Sequence, residues 1–139
     1  MLALSTLNFY AIAAAAASSI VIGFVWYGPL VGTAWMKEMG VAPDFKPDPA
    51  MLKRALLLMF AGAVLTAIVL ACAIIVAGSR APAAQQGLTA ALGAWAGFHV
   101  PMLLGGVAWE NRSWAWFRIN AGYHLAALLA AAMIVAHWR

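Results

Sequence analysis

Three polar side chains interrupt an otherwise apolar stretch near the end of the chain, FRINAGYHLAALL (residues 117–129). Asn120, Tyr123 and His124 stand at positions i, i+3 and i+4, which places them on one side of a helix. An amide, a phenol and an imidazole form hydrogen bonds, and an imidazole can also bind a metal or move a proton. Each of these groups costs free energy when it lies in hydrocarbon without a hydrogen bond, so this side of the helix must face other helices or an enclosed cavity.

A second histidine and an acid stand in the preceding apolar run. His99 lies near its middle, and Glu110 follows eleven positions later, on nearly the same helix face. The two are about 16 Å apart along the helix axis and do not touch directly. His124 lies at a depth between them, about 7 Å from His99 by the helical rise. One bundle face could therefore carry His99, His124, Asn120 and Glu110.

Aromatic residues crowd the end of the first apolar run, FVWYGPL, where Trp26 and Tyr27 precede a Gly-Pro breaker and Trp35 follows. Trp114 and Trp116 are typical of an interfacial aromatic belt, whereas Trp26 and Tyr27 continue a packed stripe and are candidates for lining a site. The candidate ligand-binding residues are Trp26, Tyr27, Glu110, Asn120, Tyr123 and His124, with His99, Arg112 and Trp35 as secondary candidates.

These residues need a scaffold, and the composition shows which kind. The chain has 139 residues, of which 66% are hydrophobic and 9% charged, more apolar surface than a small soluble domain can bury. Four runs, at 7–30, 54–77, 86–109 and 116–138, reach the ~20 residues that span a bilayer. Backbone groups in lipid must pair internally, so these runs are helices. The sequence predicts an all-α membrane protein with one domain, a four-helix antiparallel bundle with short loops.

The basic residues predict the orientation of this bundle. Six of them belong to the first and third loops and their edges: Lys37, Lys46, Lys53, Arg54, Arg112 and Arg118. The opposite side has only Arg80 and Arg139. Because Lys and Arg are retained in the cytoplasm, we expect loops 31–53 and 110–115 to be cytoplasmic and both termini to lie outside. We expect the N-terminal run to be retained, because no basic segment precedes it.

Small residues recur at every fourth position in two of the helices. The first helix carries Ala11, Ala15, Ser19, Gly23 and Tyr27, and the third carries Gly93, Gly97, Pro101 and Gly105. Such stripes allow close backbone approach, either inside the bundle or between copies, and we expect a homo-oligomer. The second helix has only Thr66 and Cys72 as weakly polar members, so we interpret it as scaffold.

Three segments give the chain a family resemblance: GFVWYGPLVGTAWMKEMG, WENRS and INAGYHL. In these the chain resembles the bacterial membrane family of the domain of unknown function 1761, along nearly its whole length. The resemblance implies a small four-span membrane protein, which we expect in the bacterial inner membrane, and it implies no activity. The matching positions are Trp26, Tyr27, Pro29, Trp35, Glu110, Arg112, Asn120, Gly122, Tyr123 and His124. His99 belongs to none of these motifs.

Several functions are compatible with this pattern. The first is binding or transport of a small molecule at the polar and aromatic cluster in the cytoplasmic half of the bundle. A second is a structural or interaction protein that assembles through its Gly- and Ala-rich faces. A third is haem or metal binding by His99 and His124. The expected partners are the lipid bilayer, further copies and a small-molecule ligand.

Other functions are not expected. The sequence has no serine–histidine–acid constellation, no paired acids in a span and no phosphate-binding loop, so we predict no enzyme. It has no basic face with interleaved aromatics, which argues against nucleic acid. The first helix has no acid of the kind that proton-coupled multidrug exporters need. We predict no cofactor and no metal ligand set beyond the haem alternative.

Overall fold

A computed structural model describes residues 6–78 and 80–138, and in this part of the chain all regular structure is helical. The helices are α1 (Phe9–Val25), α2 (Gly32–Met39), α3 (Pro49–Ala77), α4 (Ala83–Ala94), α5 (Val100–Trp109) and α6 (Trp114–His137). A π-helical turn at Trp26–Leu30 continues α1, and another at Trp95–His99 joins α4 to α5. Arg139, which entered the orientation prediction, lies outside the described residues.

Four helical stretches are long and apolar enough to cross a membrane: Phe9–Leu30, Pro49–Ala77, Ala83–Trp109 and Trp114–His137. The predicted all-α membrane bundle is confirmed. The second span begins five residues before its predicted start, because Asp48 caps it and Pro49 opens it. The Asp48 carboxylate accepts hydrogen bonds from the Ala50 and Met51 amides, which are among the donors that a helix start leaves unpaired.

The last span is the centre of the bundle. α6 packs against α1, α3, α4 and α5, whereas α4 packs mainly against α6. The buried residues of α6 are mostly alanines: Ala121, Ala127, Leu128, Ala131, Ala132, Val135 and Ala136. Alanines at helix contacts allow backbones to approach closely, which strengthens van der Waals packing where lipid offers no hydrophobic drive.

The two predicted stripes of small residues face in different directions. On α1, Ala11, Ala15 and Gly23 are buried against the bundle. In the third span Gly93, Gly97 and Pro101 are exposed and face away from the bundle, whereas Gly105, the last member of the predicted stripe, is half-buried. The residues buried there are Gly87, Ala91, Leu103 and Gly106.

The π turn at Trp95–His99 explains this change of face. Helical spacing from Gly87 and Ala91 leads past Trp95 to Phe98 and Met102. A π turn adds one residue to the helix, so the inner face continues instead through His99 and Leu103. Phe98 and Met102 are accordingly 75% and 63% exposed. Pro101 favours the wide turn because it has no N–H to donate and its ring crowds the preceding turn.

The second span is packed along only half of its length. Its buried residues, Ala67, Leu70, Ala71 and Ile74, all lie in the C-terminal half of α3. In the N-terminal half, from Pro49 to Gly62, every residue except Leu56 is exposed. α3 therefore diverges from α1 and α6 towards the end of the bundle that holds the first and third loops, called the loop end below.

Candidate functional site

The first span reaches α6 through two aromatic side chains. The ring of Pro29 would clash with the carbonyl four residues earlier in a regular α-helix, and the π turn at Trp26–Leu30 relieves this. From this turn the Trp26 indole N–H donates to the Ile119 carbonyl oxygen at 3.0 Å. The Tyr27 hydroxyl donates to the Asn120 side-chain oxygen at 2.8 Å. These bonds attach the end of the first span to α6.

Asn120 and Gly122 complete this junction on the α6 side. The Asn120 amide nitrogen donates to the Trp116 carbonyl oxygen at 2.8 Å, so the side chain bridges its own helix and Tyr27. Gly122 leaves room for the Trp26 indole, because a Cβ at this position would lie 2.6 Å from indole Cζ2. Asn120 and Gly122, two positions of the motif INAGYHL, therefore both hold the end of the first span against α6.

Five rings form a continuous series of contacts across four elements, which we call the aromatic column. Ring centroids are 5.6 Å apart for Trp35 and Tyr27, 5.0 Å for Tyr27 and Tyr123, and 5.1 Å for Tyr123 and His124. The imidazoles of His124 and His99 are 4.5 Å apart and tilted by 44°. The column runs from α2 at the loop end to the middle of the third span.

The two histidines have unused hydrogen-bonding capacity. His99 Nδ1 makes one long contact, 3.4 Å, with the Ala94 carbonyl oxygen. Within residues 6–78 and 80–138, neither ring nitrogen of His124 has a hydrogen-bond partner. Sequence spacing predicts a depth difference of about 7 Å between these residues, and the structure corrects it to direct ring contact. The cause is the π turn that ends at His99 and directs it inward.

A third-span tryptophan reinforces the position of His99. Trp95 opens the π turn, and its indole N–H donates to the Ala121 carbonyl oxygen at 2.8 Å. Trp26 from the first span and Trp95 from the third span therefore donate hydrogen bonds to two α6 carbonyls, which are two residues apart in the sequence. Each begins a Trp-x-Gly triplet inside a π turn, a correspondence that the sequence alone does not reveal.

Two cavities lie beside the column. The smaller, of about 230 Å³, is lined by Ser19, Met59, Gly62, Ala63, Thr66, His99, Tyr123, His124, Ala127 and Leu128. The larger, of about 430 Å³, is lined by Ile20, Gly23, Phe24, Tyr27, Gly28, Trp35, Leu52, Ala55, Leu56, Met59 and Asn120. Met59 belongs to both walls. The smaller cavity therefore lies at the histidines and the larger one at the loop end.

Three of the predicted site residues line neither cavity: Trp26, which packs against Gly122, and the pair Glu110 and Arg112. Glu110 and Arg112 form an ion pair at 3.4 Å in the turn after α5, and their side chains are 64% and 37% exposed. Neither lines the two cavities. The guanidinium of Arg112 also lies 5.7 Å from the centre of the Trp116 ring. An exposed ion pair of this kind contributes little to stability, so we assign these residues to the turn and not to the column.

The second span contributes more than a scaffold. Leu52, Leu56 and Met59 line the larger cavity, and Gly62 and Thr66 line the smaller one. The Thr66 hydroxyl donates to the Gly62 carbonyl oxygen of its own helix. Sequence analysis missed these residues because they are mostly apolar. The available signal was the Asp48-Pro49 pair, which is typical of a helix start. It extends the helix to 29 residues, more than a bilayer requires.

Comparison with known proteins identifies one match. A family model described as "Protein of unknown function (DUF1761)" matches residues 10–136, a range that contains the whole aromatic column. Neither a curated protein nor a solved structure matches the chain.

Proposed function

We propose that this membrane protein, which belongs to the family described as protein of unknown function (DUF1761), binds a small molecule. The proposed site is the space between α1, α3 and α6, along the aromatic column. Tyr27, Asn120, Tyr123 and His124 supply its polar wall, and the secondary candidates His99 and Trp35 extend it.

The observation that carries this proposal is the state of His124. Its imidazole lines the smaller cavity, on a helix long and apolar enough to cross a membrane, and its ring nitrogens have no hydrogen-bond partner in the described chain. An unpaired polar group there is costly, so a partner from outside the chain would stabilise the bundle. His99 adjoins it at 4.5 Å and adds further donor and acceptor capacity. A polar molecule in the cavity supplies the missing partner.

Haem is a poorer occupant for the same pair. Two axial imidazoles on opposite sides of one metal ion place their bonding nitrogens about 4 Å apart, with the ring centres farther apart still. The rings of His99 and His124 lie closer, at 4.5 Å between centroids. In the described chain, no group of three or more His, Cys, Asp or Glu residues could hold a metal ion.

We propose binding and not catalysis at this site. The Ser19 hydroxyl in the smaller cavity donates to the Ala15 carbonyl of its own helix. The residues that line the two cavities, as far as the structure describes them, include no carboxylate that could orient a histidine as a base. A hydrogen-bonding site needs neither an activated nucleophile nor such a carboxylate.

The test compares His124→Leu with His137→Leu. His137 is an exposed histidine at the other end of α6, which makes it a matched control. We expect neutral hydrogen-bonding compounds such as phenol, nicotinamide or benzoquinone to raise the melting temperature of the wild type and of His137→Leu in nanodiscs. His124→Leu should lose that response, because the ligand's partner is gone. An identical response of all three proteins would contradict the proposal.

A second candidate function is assembly into a homo-oligomer. It is favoured by the outward stripe of the third span, where Gly93 and Gly97 have open space at the position of a Cβ. Another copy could approach this backbone closely. The oligomeric state in lipid nanodiscs tests it, and a purely monomeric protein would remove it.

We also propose that loops 31–53 and 110–115 lie in the cytoplasm of a bacterium, as the Lys and Arg distribution predicts. Cys72 is the single cysteine, so a Cys72→Ser background carrying either Lys46→Cys or Arg80→Cys allows a labelling test. A membrane-impermeant maleimide applied to intact spheroplasts should label Arg80→Cys and leave Lys46→Cys unlabelled until the cells are lysed. The reverse pattern would invert the proposed topology.

A further inference from the structure

We infer that the ligand is an uncharged amphiphile, with its hydrogen-bonding headgroup at the histidine pair and its hydrocarbon chain in the larger cavity. This inference rests on the proposed binding function and names the class of molecule that the site takes. It depends on three features: the absence of charged residues from the described walls of the two cavities, the difference between those walls, and the divergence of α3.

The walls of the two cavities favour an uncharged headgroup. In the described chain, neither cavity is lined by Asp, Glu, Lys or Arg. Lys53 and Arg54 stand between the lining residues Leu52 and Ala55 but are exposed and not part of the wall. Glu110 and Arg112 pair with each other at the surface beyond the end of α5. A charge moved to the histidine pair would keep its desolvation cost, with no counter-charge in the wall of the smaller cavity to offset it. Hydroxyl, amide and imidazole groups instead suit a headgroup that donates or accepts hydrogen bonds while neutral.

The two cavities divide the polar from the apolar part of the ligand. The smaller has five polar side chains: Ser19, Thr66, His99, Tyr123 and His124. The larger is mostly apolar, and its Tyr27 hydroxyl and Asn120 amide already bond each other. Its volume of about 430 Å³ lies within the range of small-molecule sites. Met59, an unbranched and flexible side chain, lies where the two cavities meet.

The divergence of α3 provides the entry. The exposed N-terminal half of this helix forms the outer wall of the larger cavity through Leu52 and Leu56. From Leu52 to Thr66 the wall extends about 21 Å along the helix axis, a large part of the ~30 Å hydrocarbon core. A ligand dissolved in the bilayer can therefore enter sideways between α3 and α1, with its chain parallel to the lipid chains.

The probe for the test is hexadecanol with a diazirine in its chain, photolysed in phosphatidylcholine nanodiscs that contain the full-length protein. We expect peptide mass spectrometry to find the label in residues 52–59. Leu56→Trp, which places a bulkier ring in the larger cavity and narrows it, should reduce labelling about ten-fold. Leu57→Trp is the matched control, because Leu57 is 61% exposed and lines neither cavity. It should label as the wild type does.

Competition identifies the headgroup class. Unlabelled hexadecanol should displace the probe, whereas hexadecyltrimethylammonium and palmitate at equal membrane concentration should not. Displacement by either ion equal to or better than that by hexadecanol would overturn the inference. Labelling that Leu56→Trp leaves unchanged, as ordinary boundary lipid would give, would also overturn it. If phenol still stabilises the protein through His124 but Leu56→Trp is labelled as strongly as the wild type, the inference fails and the proposed binding function stands. If His124→Leu changes neither readout, both fail.

Discussion

Replacing Gly122 by alanine is expected to lower the free energy of unfolding by about 1–3 kcal/mol, the usual cost of overpacking. The added Cβ would lie 2.6 Å from Cζ2 and 3.0 Å from Cη2 of the Trp26 indole. The indole cannot move away without losing its hydrogen bond to the Ile119 carbonyl. Reversible unfolding in mixed detergent and dodecyl sulfate micelles measures the loss.

Two further variants make this prediction specific. Gly105→Ala is the matched control, because the described chain has no heavy atom within 4 Å of the position of its Cβ. It should be neutral or slightly stabilising, since alanine favours a helix over glycine. Trp26→Phe removes the atoms that clash, so Gly122→Ala should cost much less in that background. Equal costs in both backgrounds would show that the indole does not require Gly122.

Replacing Asn120 by leucine is expected to cost about 1–3 kcal/mol, because it breaks a bridge between two helices. The Asn120 side chain accepts from the Tyr27 hydroxyl and donates to the Trp116 carbonyl, both at 2.8 Å. Without it, the Tyr27 hydroxyl is left in an apolar environment with no strong partner. The same unfolding measurement applies.

A double-mutant cycle with Tyr27→Phe separates this bond from a general packing defect. Once the hydroxyl is gone, Asn120→Leu should cost less, and the difference is the coupling energy of the pair. Thr89→Val controls for the loss of any polar group in a span, since the Thr89 hydroxyl is exposed and bonds only its own helix at Gln85. Fully additive costs for Asn120→Leu and Tyr27→Phe would contradict the bridge.

The architecture and the polar side of α6 are predictable from the sequence. Apolar runs of spanning length leave no alternative to helices in lipid. The spacing of Asn120, Tyr123 and His124 on one regular helix fixes their common direction, and all three line the cavities. The packing of Trp26 and Tyr27 against α6 is predictable as well, because these residues extend a stripe of small residues whose packing face is regular up to Gly23.

The remainder of the site depends on departures from regular helix geometry. The inward direction of His99 needs the extra residue of the π turn, which a uniform helical period cannot represent. The projected alignment of His99 with Glu110 fails for a different reason: α5 ends at Trp109, so Glu110 lies beyond the helix and pairs with Arg112 at the surface. The role of α3 depends on where that helix leaves the bundle, and apolar residues that face a cavity or lipid are alike in sequence.

The two indole bonds to α6 also have a consequence for how the protein is made. Trp26 and Trp95 both find their acceptors on the last described span to leave the ribosome. Until those 24 residues are synthesised, which takes about 1–5 s, the indole N–H groups of the earlier spans have no acceptor from α6. Consolidation of the bundle therefore waits for the arrival of α6. A chain interrupted before Trp114 would present unassembled helices to the proteases that survey the membrane.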